Sequence, residues 1–290
     1  MLIRLNFIIE IIYIIALALS GLAIGFVGGM VGLVLGVVRF PVVMSVETSV
    51  SLTAGTNLGV STLGAITAAI RHYHQKNIEF RAFVFLATTG AAGAFIGSFF
   101  TSYVPISILL MIIGLIVSYE SFALINGSRI KKKRCNNNTN NNELDEITNS
   151  NRFLNFRKNR LVLLESLIGF GVGFLGGLVG LVLGSIRMPA MISILKMEPR
   201  VAVGTNLAAA SVMGISGLVG HIINHNIDYL VLLIMGSAAM LGGYIGAKYT
   251  NRFSDTGLRR IIGIVLIVVA ITMFLRVFQI TSTHIPIGLL

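Results

Sequence analysis

Long apolar runs, broken by short polar interruptions, occupy most of this chain. They cover about Phe7–Val38, Val46–Ile70, Phe83–Thr101 and Ile106–Ile125, then about Leu161–Ile186, Val201–Ile223, Tyr229–Tyr249 and Leu258–Phe278. Several exceed the roughly 18–20 residues that cross a bilayer as a helix. One aqueous core has no room for so many, so the pattern predicts an all-α polytopic membrane protein. The first run continues past Leu35, too long for the apolar core of a signal peptide, and is expected to be retained. A polar segment separates the two sets of runs. It holds the basic cluster Lys131 to Arg134, an Asn-rich tract at 136–142 and an acidic patch. Such sequence buries too little apolar surface to fold. The expected organisation is a first transmembrane repeat (1–126), a disordered cytoplasmic linker (127–159) and a second transmembrane repeat (160–290).

The two sets match residue by residue. Gly25-Phe-Val-Gly-Gly-Met-Val-Gly-Leu-Val-Leu-Gly-Val-Val-Arg39-Phe-Pro41 returns as Gly173-Phe-Leu-Gly-Gly-Leu-Val-Gly-Leu-Val-Leu-Gly-Ser-Ile-Arg187-Met-Pro189. Gly55-Thr56-Asn57-Leu58 returns as Gly204-Thr205-Asn206-Leu207, and His72 as His221. Matching halves in a membrane protein point to a pathway between them.

Charge decides how the halves are oriented. Suppose each Gly-rich stretch crosses fully. Then Lys196, Arg200, Lys248, Arg252, Arg259 and Arg260 fall outside, against the positive-inside rule. If each stretch is instead a re-entrant hairpin followed by three transmembrane helices, the halves are inverted. Of the 22 basic residues, 18 then become cytoplasmic, with Arg39 and Arg187 in the motif and Arg4 and Arg276 outside. The inverted arrangement is the expected one. The net charge of +11 therefore belongs to loops beside the membrane. No basic face with interleaved aromatics is present to read nucleic acid. The chain is 55% hydrophobic and 11% charged, against roughly 25% charged in soluble domains. Cys135 is the single cysteine and has no internal disulfide partner.

Three parts of the repeated block carry chemistry. Glycines, including Gly28, Gly29, Gly176 and Gly177, either break the helix or admit another backbone closely. Pro41 and Pro189 are expected to end the preceding helix. Arg39 and Arg187 each stand two residues before the Pro, after an apolar run. An Arg at the bilayer centre costs about 2.5–3.5 kcal/mol on insertion scales, and no carboxylate lies nearby in sequence. A planar guanidinium without a fixed partner suits a mobile carboxylate, sulfonate or phosphate. The competing role is snorkelling at a hairpin end. Thr56, Asn57, Thr205 and Asn206 either bond an oxyanion or tie helices together. Ser61, Thr62 and Ser211 extend that polar stripe. His72 and His221 are expected at the membrane interface. With His74 and His225 they make no complete metal site, and no cofactor is expected. Glu120 is a candidate proton relay without a counterpart in the second half.

At these residues the chain resembles the sulfite exporter TauE/SafE family of integral membrane transporters, over both halves and nearly its whole length outside the linker. The resemblance implies a multi-pass plasma-membrane protein exporting small organosulfur anions such as sulfite or sulfonates by a secondary mechanism. It also implies ligand contacts near the two Gly/Pro blocks. An Arg before each Pro departs from the family's usual small or apolar residues. The leading expectation is a secondary transporter of small anions with a midplane site between the halves. Its substrate-binding residues are Gly28, Gly29, Arg39, Pro41, Thr56, Asn57, Gly176, Gly177, Arg187, Pro189, Thr205 and Asn206. The alternative is a passive anion channel of the same architecture. An enzyme is not expected, since no nucleophile–base pair or metal set is present. The expected partners are a small anion and the lipid bilayer, with a homodimer as the candidate assembly.

Overall fold

The computed structural model describes residues 2–44, 49–100 and 150–283, with isolated positions between 111 and 122. All of its regular structure is helical: α1 (Leu2–Val31), α2 (Gly36–Met44), α3 (Val50–His74), α4 (Phe80–Phe99), α5 (Ser150–Val179), α6 (Gly184–Ser193), α7 (Pro199–Ile223), α8 (Tyr229–Tyr249) and α9 (Asp255–Thr283), with a 3-10 turn at Thr250–Arg252. Among the described residues five segments are long and apolar enough to cross a membrane: Ile11–Val31, Phe80–Phe99, Val162–Val179, Pro199–Ile223 and Tyr229–Arg252. The expected span at 106–125, with Glu120, and most of the linker lie outside the described residues. Helix α5 starts at Ser150, within the segment expected as linker, and its membrane-length part begins at Val162.

The outer surface is apolar. Ile11, Ile12, Ile15 and Leu19 of α1, Leu163 and Leu167 of α5, and Leu230, Leu233 and Leu241 of α8 are all exposed. So large an apolar surface suits hydrocarbon, not water. Polar groups lie inside instead, including Arg39, Asn57, His72, Arg187, Asn206 and His221.

Helix α1 packs along α8, and α5 along α4. Small residues make these contacts close. A Cβ on Gly21 would lie 2.6 Å from the Met235 carbonyl, and one on Gly25 would lie 2.7 Å from that of Ala239. In the other pair, a Cβ on Gly93 would strike the backbone at Phe170, and one on Gly173 the backbone at Gly90. Backbone-to-backbone approach of this kind drives helix association where lipid supplies no hydrophobic force.

Each Gly-rich stretch turns back on itself. Gly32 has φ +76° and Gly180 φ +68°, a left-handed conformation that glycine adopts at little cost. Leu33 N then donates to Gly28 O at 3.1 Å and Leu181 N to Gly176 O at 2.9 Å, closing a Schellman-type helix end. Two contacts fix the reversal. The Gly29 carbonyl meets His72 near the C-terminus of α3, while the Gly36 carbonyl meets Asn57 near its N-terminus. Those fifteen residues of α3 span about 22 Å. The chain therefore rises along α1 and descends through residues 33–36 and α2. The helix breaks fall at Gly32 and Gly180. Pro41 and Pro189, expected to end the helix, sit inside the short α2 and α6. A left-handed residue reverses the chain outright, whereas Pro near a helix start removes one backbone donor.

Candidate functional site

The four carbonyls at a helix end lack intrahelical partners. At α1 three of them are met in turn. Gly28 O accepts from the backbone beyond the break, Gly29 O meets His72 Nε2 at 3.2 Å, and Met30 O accepts from Thr250 Oγ1 at 2.8 Å. His72 and His221 are fully buried within the protein, in the last turns of α3 and α7. His72 serves the broken helix end as a hydrogen-bond partner, and His221 stands at the matching position of α7.

The Gly-Thr-Asn step divides into three jobs. Glycine lets a loop approach: a Cβ on Gly55 would collide with Asn226 O, and one on Gly204 with Asn77 O. Threonine ties that loop down. Asp228 N donates to Thr56 Oγ1 at 2.8 Å, and Glu79 N to Thr205 Oγ1 at 2.9 Å. These are the N-cap residues of α8 and α4. Both threonines thus tie helices together as acceptors, and each hydroxyl keeps its own O–H donor. Thr205→Val should lower the melting temperature in detergent by the equivalent of about 1 kcal/mol, the worth of one such bond, with Thr56→Val behaving alike.

Asparagine serves the breaks. Asn57 Nδ2 donates to Gly36 O at 3.0 Å. Asn206 Nδ2 donates to Gly32 O at 2.6 Å, with Gly184 O at 3.3 Å. Asn206 therefore joins the two breaks. They also lie close together: a Cβ on Gly36 would lie 3.4 Å from the Leu181 side chain, and one on Gly184 3.4 Å from Val34 N.

Both arginines point inward. Arg39 is 2% exposed and Arg187 fully buried, which disposes of the snorkelling role. Arg39 Nη1 donates to Ser61 Oγ at 3.0 Å. Arg187 Nε donates to Asn206 Oδ1 at 2.6 Å, its Nη2 to Asn206 O at 3.0 Å, and its Nη1 meets Met213 Sδ. Neither makes a salt bridge among the described residues, where the ion pair is Arg200 with Asp255. Each lines its own cavity. Arg39, Gly28 and Gly29 border one of about 20 Å³, which Leu207 of the second half also lines. Arg187, Gly176 and Gly177 border one of about 10 Å³, with Leu58 and Ala94 of the first half. Each is roughly the room of one water molecule. Glycines and arginines of the expected site thus border two small hollows at the breaks, and the asparagines bond the break carbonyls. Pro189 is buried in α6.

One buried acid escaped the sequence reading. Glu165 of α5 is 5% exposed, with Oε2 unpartnered. Its appearance in an otherwise apolar run was the available signal. No group of three or more His, Cys, Asp or Glu able to hold a metal occurs among the described residues.

A multi-pass helical membrane protein with charged groups sealed at broken helices is built as a transporter is. A family model for the sulfite exporter TauE/SafE family matches residues 17–273, and the chain belongs to that family. It is 24% identical over 261 residues to the "Probable membrane transporter protein YunE" of Bacillus subtilis, covering 87% of this chain and 94% of the relative. It is 25% identical over 240 residues to "Probable membrane transporter protein YdhB" of the same organism, covering 82% and 89%. A "Probable membrane transporter protein" of Xylella fastidiosa is 24% identical over 261 residues, covering 89% and 93%. No solved structure gives a significant match. The protein is a membrane transporter, not an enzyme.

Proposed function

We propose that the protein is a secondary transporter that exports small anions of the sulfite or organosulfonate type. The anion engages the arginine-bearing breaks between two inverted repeats. One observation carries this reading: two guanidinium groups are buried at backbone breaks with no carboxylate partner among the described residues. Each costs about 2.5–3.5 kcal/mol to place at membrane depth. A negatively charged cargo offsets that cost in the loaded state. The family's description as sulfite exporters supports the substrate class. The inverted arrangement draws support from paired contacts, since Thr56 with Asp228 and Thr205 with Glu79 exchange the roles of the halves.

The alternative is a passive anion channel of the same architecture, and flux kinetics separate the two. Purified protein in liposomes should show saturable sulfite counterflow. Linear, non-saturating flux without counterflow would mean a channel. No sulfite or sulfonate movement at all would remove the anion reading.

A further inference from the structure

In sequence the two arginines are equivalent, but their surroundings differ. Arg187 has all three nitrogens engaged, by Asn206 Oδ1, Asn206 O and Met213 Sδ. Arg39 is bonded to Ser61 through Nη1, while its buried Nε has no partner. Asn57 Oδ1, the counterpart of the oxygen that holds Arg187, is also buried without a partner. Two substitutions between the halves lie behind the difference. Ser61 corresponds to Ala210, and Gly64 to Met213. Glycine at 64 lines the cavity at Arg39 and puts no sulfur beside that guanidinium, and this cavity is about 20 Å³ against about 10 Å³.

We infer that Arg39 is the residue that takes the anion, and that Arg187 is a strut holding the second break. This rests on the anion-transport reading above. A buried charged donor without an acceptor is costly and marks a place that another group completes. The Arg39 cavity offers an unused guanidinium N–H, with the Ser61 hydroxyl beside it. Arg39 is its one charged lining residue, and Leu33, Leu35 and Leu207 supply apolar wall. A single positive charge in such walls matches one negative charge; a dianion would keep an unneutralised charge out of water. The ligand class is a small monovalent oxyanion, sulfonate-like or hydrogensulfite-like. The hollow holds a water, so admitting the anion requires the break to move against Leu207 and α3.

Thermal stabilisation of the purified protein by methanesulfonate and by sulfate, read beside sulfite counterflow, tests this. Methanesulfonate should raise the melting temperature of the unaltered protein with saturation, and sulfate should do so much less. Arg39→Gln should abolish the shift. Ser61→Ala should weaken binding about tenfold, as for a lost bond to a charged group, and Met213→Ala should leave it unchanged. Retention of the full shift by Arg39→Gln overturns the assignment. So does weakening by Met213→Ala while Ser61→Ala is silent, and so does equal or better stabilisation by sulfate. If the unaltered protein shows sulfite counterflow but these variants behave in that contrary way, the assignment fails and the transport reading stands. If it shows neither counterflow nor any shift, both fail.

Discussion

Asn206→Leu is expected to be among the most damaging single changes in this protein, far worse than the matched Asn57→Leu. Leucine matches asparagine in side-chain heavy atoms and is the better helix former, so the loss is one of hydrogen bonds. Asn206 Oδ1 is the acceptor for Arg187 Nε, and its Nδ2 serves Gly32 O and Gly184 O on the two breaks. Removing one partner of a buried charge costs about 3–5 kcal/mol, because the charge stays behind unpaired. The freed carbonyls add to this. Asn57 holds one carbonyl, Gly36 O, and its own oxygen is already unpartnered. Its loss should cost about 1–3 kcal/mol. Melting of the two variants in detergent, followed by size-exclusion of the heated protein, makes the comparison. Equal destabilisation would mean that the bonds around Arg187 carry no more energy than the single bond at Asn57.

That difference could be anticipated only partly from the residues. Membrane embedding, the two matching halves and the grouping of Gly, Arg and Asn at a break in each were all legible. They are recorded in local pattern: long apolar runs, glycine density and a charged residue inside an apolar stretch. Less legible was which groups a side chain meets where the partner is distant. Thr56 and Thr205 serve the loops at Asp228 and Glu79, which are 172 and 126 residues away. A usable signal existed, since Asn77-Ile78-Glu79 and Asn226-Ile227-Asp228 recur at matching places before α4 and α8. Nothing local shows that His72 meets a broken helix end at Gly29, 43 residues away. The proline was credited with the break because it removes a donor, yet the reversal needs a positive φ, which glycine supplies. Ser61 against Ala210 and Gly64 against Met213 could be read by aligning the halves, but their consequence depends on how α3 and α7 face α2 and α6.

The reversal itself gives the second large expectation. Gly32→Ala and Gly180→Ala should each cost about 2–5 kcal/mol, combining two separate penalties. A left-handed conformation costs an L-residue roughly 1–2 kcal/mol, and overfilling a packed interior costs roughly 1–3 kcal/mol more. At Gly32 the added carbon would sit 2.6 Å from Val203 Cα, and at Gly180 2.7 Å from Ala54 Cα. Both neighbours are backbone atoms of long helices, α7 and α3, so neither can swing aside as a side-chain tip does. Gly171→Ala is the control. Its Cβ would meet nothing within 4 Å, and the residue is helical. That change should be neutral or stabilise the protein by up to about 1 kcal/mol. Folded yield and melting temperature of the three variants decide the matter. If Gly32→Ala and Gly180→Ala melt with the unaltered protein, the left-handed turns do not set the fold. The descent of α2 and α6, which carries Arg39 and Arg187 into the interior, would then need another cause.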